Sequence, residues 1–189
     1  FADNTLGYEL FTDFPEFENI NSVSFTGNSA TGTLIASDDK SHVVSGVSDS
    51  FVIDDNTIEA AGGVSEGALV NTSSLNTLTI DGVCESSAGK EKKARLFSVS
   101  GNEVSGVTDG FFGSYTVKVN HFEDAVLDGN SYTDEANNYR SYAVFDKMAF
   151  NKVNKISFCD NAVHSSDKTV VGLIGTVCVI DFDSLTIQR

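Results

Sequence analysis

The residues best suited to chemistry in this chain are oxygen ligands. In the run DGNSYTDE, Asp128, Asn130 and Asp134 occupy the first, third and seventh positions of an EF-hand-type spacing, the pattern by which carboxylates and amides surround a hard cation such as calcium. The match stops there. Thr133 stands where such a loop needs its glycine, and Tyr139 stands where it needs its closing glutamate. Two further oxygen-rich spots are Asp54-Asp55-Asn56 and the pair Asp181 and Asp183. On a strand, alternation would turn Asp181 and Asp183 to one side, where they could share a cation. Calcium is thus the one cofactor for which the sequence carries ligands, at Asp128, Asn130, Asp134, Asp181 and Asp183.

Signatures of catalysis are missing. The chain contains no GxSxG elbow, HExxH, P-loop or dinucleotide glycine fingerprint. His42, His121 and His164 are scattered. Glycoside hydrolysis needs two carboxyls at a set separation, and 27 acidic residues nominate no particular pair. The expectation is a protein that is not an enzyme. The three cysteines cannot all pair within one chain. A disulfide between Cys159 and Cys178, with Cys84 left as a free buried thiol, is one arrangement; three buried thiols is the other. Asn71-Thr72-Ser73 is a glycosylation triplet. Tyr132, Tyr139 and Tyr142 cluster in a polar stretch and could form a sugar-stacking platform, although the chain has no Trp.

Net charge is −15, which repels nucleic-acid phosphates and argues against nucleic-acid binding. The charge is lopsided. Residues 1–89 hold fourteen acidic residues against the single Lys40, a balance of −13, whereas residues 90–189 hold thirteen acidic and eleven basic, a balance of −2. Lys90, Lys92, Lys93 and Arg95 form a basic turn. Such an imbalance suits charge complementarity between copies. No apolar run reaches the roughly 20 residues of a membrane-spanning helix.

The elements that must carry these groups are strands. INSVSFT (20–26), LNTLTID (75–81), SYTVKVN (114–120) and SLTIQ (184–188) alternate apolar with polar residues, the signature of a strand with one face on a core. Clusters of Gly, Asn, Asp and Ser separate them as turn signals. The reading is an all-β fold, a jelly-roll-like β-sandwich of roughly ten to twelve strands. At most one short helix is expected, between Asp134 and Phe150. VSGVSDSF (44–51) echoes VSGVTDGF (104–111), and an apolar-Asn-x-apolar pattern recurs at Ile20, Leu75 and Val153. With no fixed short period, these echoes argue against a solenoid.

Residues 1–18 differ in texture, with aromatic and acidic residues interleaved. They are expected to form an extended segment that can be exchanged between subunits by strand addition, ahead of a single domain over 19–189. Leu6, Tyr8, Leu10, Phe11 and Phe14 would make that contact, together with the basic turn. Phe1 at the first position reads as the product of processing, such as signal-peptide removal, or of trimming. GTVCVIDFDSLTIQ resembles the closing strand of galactose-binding-type jelly-roll modules. TGNSATGTL (26–34) resembles the opening of camelysin-type fibre-forming matrix proteins. Neither resemblance assigns a functional residue. The functional expectation is a non-enzymatic structural subunit of an extracellular filament, pilus-like fibre or virion surface, associating with copies of itself. The alternative is a secreted, calcium-stabilised carbohydrate-binding module.

Overall fold

The computed structural model describes residues 1–7, 10, 16–37, 41–59, 70–72, 77–87, 90–106, 111–112, 116–134, 143–165 and 172–188. The strands come in circuits. The first comprises β1 (Thr5–Leu6), β2 (Phe17–Glu18), β3 (Ser22–Thr26) and β4 (Ser29–Ala30). After β5 (Ile35–Ser37), the second comprises β6 (His42–Val47), β7 (Ser50–Asp54) and β8 (Thr57–Glu59). β9 (Val70–Thr72) and β10 (Thr77–Gly82) lead to a hairpin of β11 (Glu85–Ser87) and β12 (Lys90–Lys92), and the circuit closes with β13 (Ala94–Ser100) and β14 (Glu103–Ser105). Then follow β15 (Thr116–Asn120), β16 (Phe122–Val126) and β17 (Ser131–Asp134), and β18 (Ala143–Asn151), β19 (Lys155–Cys159) and β20 (Ala162–Ser165). β21 (Gly172–Ile180) and β22 (Ser184–Gln188) finish the order.

Apart from β5, β9, β11 and β12, successive strands are dealt in turn to three six-stranded sheets. Sheet I is β2-β6-β10-β15-β18-β21, sheet II is β3-β7-β13-β16-β19-β22, and sheet III is β1-β4-β8-β14-β17-β20. Every pairing within them is parallel. This is a parallel β-helix, and it overturns both the expected antiparallel jelly-roll sandwich and the argument against a solenoid, because the repeat is present with unequal spacing. Among the described residues there is no helix; Ala143 and Met148, placed on the expected one, lie in β18. The resemblance of the last residues to a jelly-roll strand fails for the same reason, because β21 and β22 belong to two different parallel sheets.

Period-two alternation is common to both architectures, since either one buries one face of each strand. In a β-helix the inward residues stack in columns along the axis. In sheet II, Val23, Phe51, Phe97, Ala125, Ile156 and Leu185 are in register. The first five are buried. Phe97 stacks on Phe51 with centroids 6.0 Å apart and meets Phe122 edge-on at 6.1 Å. In sheet III the column runs Ala30, Ile58, Val104, Tyr132, Val163. Tyr132 is therefore a fully buried core residue and not part of a surface platform; Tyr139 and Tyr142 lie outside the described residues.

The corner between sheets II and III is built from a hexapeptide used six times: apolar, any residue, Asp or Gly, Asn, any residue, apolar. It occurs at Phe1–Leu6, Phe25–Ala30, Ile53–Ile58, Val99–Val104, Leu127–Tyr132 and Phe158–Val163. Its third residue always has positive φ: Asp3 55°, Gly27 63°, Asp55 57°, Gly101 64°, Gly129 66° and Asp160 54°. Gly, Asp and Asn are the residues that reach this left-handed region at least cost. The turn aims the following Asn inward. Asn102 donates from its backbone N and Nδ2 to Asn130 Oδ1 (3.1 and 3.0 Å), and from Nδ2 to the Ile53 carbonyl (2.8 Å). Its own Oδ1 accepts from Asn56 N and Nδ2, both at 3.0 Å. The same bonds link Asn4 to Asn28, Asn28 to Asn56 and Asn130 to Asn161. An amide is both donor and acceptor, so identical side chains can satisfy one another in a stack. The echo of VSGVSDSF in VSGVTDGF does not mark this repeat. Val44–Phe51 turns from sheet I into sheet II, whereas Val104 lies in sheet III.

Candidate functional site

The expected cation ligands have structural duties. Asn130 is a buried rung of the amide ladder, its Oδ1 accepting from Asn102 and its Nδ2 donating to Asn161 Oδ1 and the Val99 carbonyl. Asp128 accepts from the Ser157 hydroxyl and from the Cys159 backbone N–H at 2.7 Å. Asp54 repeats this clamp two circuits earlier, accepting from the Ser98 hydroxyl at 2.7 Å and the Ser100 N–H at 2.8 Å. In both cases a carboxylate ties its own circuit to the next. Asp181 (φ 57°) and Asp183 are exposed residues of the turn between β21 and β22, so the strand alternation expected for them does not apply. Asp134 ends β17. Among the described residues, no three His, Cys, Asp or Glu side chains converge as a metal site.

The Asp54 clamp titrates in a distinctive direction. Burial raises its carboxyl above the ordinary value of 3.8, and the Ser98 and Ser100 hydrogen bonds oppose that shift. A raised folded-state pKa means that this group adds stability as pH falls from just above its folded value toward 3.8. Asp49 behaves oppositely. The Arg95 hydrogen bond lowers its pKa, so its contribution is present above 3.8 and is lost as pH falls below that value. Wild-type stability relative to Asp54→Asn should therefore rise between pH 7 and 4, whereas relative to Asp49→Asn it should fall on further acidification. Urea denaturation across pH checks both signs; a flat Asp54 profile would remove the burial argument.

The basic turn is engaged within its own chain. Arg95 pairs with Asp49 at 3.0 Å, Lys152 with Glu91 at 2.9 Å, and Lys93 donates to Asn154 Oδ1. Lys92 is exposed, and Lys90 opens β12. Pairs this exposed contribute little, because water screens them. All three cysteines are free. Cys159 lies in sheet II and the exposed Cys178 in sheet I, so the expected disulfide between them is not formed. Asn71 sits in β9. Leu6 and Leu10 pack against the core of their own chain; Tyr8, Phe11 and Phe14 lie outside the described residues.

The two ends of the coil differ, and the sequence reading missed this. At the N-terminal end, residues 1–3 lie along β3: Phe1 N donates to the Ser24 carbonyl, Thr26 N to the Phe1 carbonyl and Asp3 N to the Thr26 carbonyl. The Phe1 ring stacks on Phe25 at 5.2 Å. Sheets I and III begin there with strands of only two residues each. At the other end, the last described strands of sheets I and II are nine and five residues long. Leu185 and Ile187 continue the columns of Ile156 and Phe158. Those predecessors are 1% exposed, while Leu185 is 40% and Ile187 60% exposed. Ile180 and Phe182 are exposed nearby. Sheet III stops one strand earlier, at β20, which leaves a notch of about 590 Å³ beside Asn161, Val163, His164, Leu173, Ile187 and Gln188. Alternation in SLTIQ was legible, but the exposure of Leu185 and Ile187 was not.

The chain matches no family model, no curated protein and no solved structure.

Proposed function

We propose that this protein is a non-enzymatic structural subunit of an extracellular or particle-surface assembly, joined to copies of itself by strand addition and charge complementarity. The observation that carries this reading is the exposure of Leu185 and Ile187 in columns whose earlier members are buried. An unpaired strand edge presents backbone donors and acceptors, which natural edges blunt with Lys, Pro, bulges or a cover. The strands Gly172–Ile180 and Ser184–Gln188 contain neither a charged residue nor a proline. An edge with this composition is suited to pairing.

The lopsided charge gains a spatial meaning. Chain order follows the axis in a coil, so the −13 of residues 1–89 is weighted toward one end and the −2 of residues 90–189 toward the other. Repulsion between copies is strongest along the acidic first half and weakest along the nearly neutral second half. Sedimentation velocity from micromolar to submillimolar concentration, with electron microscopy of the most concentrated sample, tests the reading. Concentration-dependent association is expected, and Leu185→Asp with Ile187→Asp should abolish it while leaving the β-sheet circular dichroism intact. A wild-type protein that stays monomeric throughout would sink the proposal.

A further inference from the structure

We propose that the β11–β12 hairpin is a strap, fixed at its base in the third circuit, passing over the corner of the fourth and latched by charge to the fifth, and able to lift off that latch while the coil stays wound. Whether or not copies associate, this device belongs to the single chain. The corner between sheets I and II sets the hairpin apart. Each of the other five passages from sheet I to sheet II contains one left-handed residue: Asn19 (φ 52°), Gly46 (67°), His121 (61°), Lys152 (56°) and Asp181 (57°). In the third circuit residues 83–93 take the place of that residue, and β11 and β12 pair antiparallel within them.

The base is locked into the coil. Val83 N donates to the Val47 carbonyl at 2.7 Å, and Ala94 N donates to the His121 carbonyl at 3.0 Å. Gly82 is buried against that second carbonyl, where an added Cβ would lie 2.4 Å from the oxygen. His121 is itself held, with Nδ1 2.7 Å from a carboxylate oxygen of Asp81 in β10. The far side is held by two side chains. Glu91, in β12, accepts from Lys152 Nζ at 2.9 Å, and Lys93 donates to Asn154 Oδ1. Lys152 and Asn154 belong to the fifth circuit, two strand spacings or about 10 Å along the axis from the third. Both contacts therefore step past the fourth circuit, whereas the asparagine ladder joins each circuit to its neighbour. Unlike the base, this latch is weak. The Lys152 and Glu91 side chains are 32% and 42% exposed, and water and salt screen such a pair. Residues 85–92 include no large apolar side chain, and an isolated two-stranded ribbon has little stability of its own. The hairpin thus sits at the low end of the range of local opening free energies, next to circuits that open only with the whole coil.

Residue-resolved hydrogen exchange on the full chain is the test. Amides of β11 and β12 should exchange faster than those of Asn102 and Asn130 in the ladder, and faster again when salt is raised. Glu91→Gln should speed exchange in the hairpin by about two- to fivefold and leave the ladder amides unchanged. Lys152→Glu should act in the same direction. Combining it with Glu91→Lys reverses the pair and should return the hairpin to its wild-type rate, which a general loss of stability would not do. Hairpin amides as slow as those of the ladder would overturn the strap, because the hairpin would then open only with the coil. Exchange indifferent to both Glu91→Gln and salt would overturn the charge latch, as would a reversed pair that fails to restore protection.

Discussion

Replacing Asn102 with alanine should cost the folded protein about 3–5 kcal/mol, one of the two largest losses available to a single substitution in this chain. Asn102 is fully buried and sits in the middle of the amide ladder. Truncation takes away the acceptor of the Asn56 backbone N–H, one of the three acceptors of Asn56 Nδ2, and the side-chain donor to the Ile53 carbonyl. Each buried polar group left without a partner costs about 1–3 kcal/mol. Asn102→Asp is the sharper probe. It keeps an acceptor for Asn56, but sets a carboxylate oxygen against the Ile53 carbonyl and Asn130 Oδ1, where an amide nitrogen had donated. Its loss should exceed that of alanine at pH 7 and shrink on acidification, as the protonated acid recovers a donor. Asn4→Ala, at the less buried end of the ladder, should cost about 1 kcal/mol. Urea denaturation followed by circular dichroism measures all three. Equal losses at Asn4 and Asn102 would mean that water substitutes for the ladder partner even in the interior.

The ladder also explains which parts of the fold were legible beforehand. Strand content and the inward faces followed from alternation at 20–26, 75–81, 114–120 and 184–188. Strand direction did not, because an inward residue alternates in the same way whether its neighbour runs parallel or antiparallel. Direction was encoded in the corner hexapeptide, and its six copies were hidden by unequal spacing. The ladder asparagines are separated by 24, 28, 46, 28 and 31 residues. The longest interval contains the β11–β12 hairpin, an antiparallel excursion from the coil. The asparagines were also misread chemically. Asp54-Asp55-Asn56 and Asp128-Gly129-Asn130 looked like cation ligands because carboxylates adjoin amides. In the fold those three positions do separate jobs: a clamp to the next circuit, a left-handed turn residue and a buried rung. The exposure of Leu185 and Ile187 was beyond sequence reasoning, since both look like ordinary core residues of a strand.

Phe97→Ala should be the other severe lesion, at about 3–5 kcal/mol. The ring is fully buried at the third level of sheet II, flat against Phe51 and edge-on to Phe122. Its in-register neighbour on the following strand is Ala125, which is too small to collapse into the space the ring would leave. The cavity should persist, and the cost should sit at the large end of the range for deletion of a core aromatic. The same column provides its own control. Leu185 occupies the equivalent inward position on β22 and is 40% exposed, so Leu185→Ala should cost the monomer less than about 1 kcal/mol. The two changes must also differ in reach. In a coil each circuit touches only its neighbours, so a lesion at the centre uncouples the circuits on either side of it, while one at the end frays only the last. Hydrogen exchange should show lost protection in β7, β13 and β16 together for Phe97→Ala, and in β22 alone for Leu185→Ala. If the two variants lose the same stability, or Phe97→Ala exposes only β13, the packed aromatic column is not what joins the circuits of sheet II.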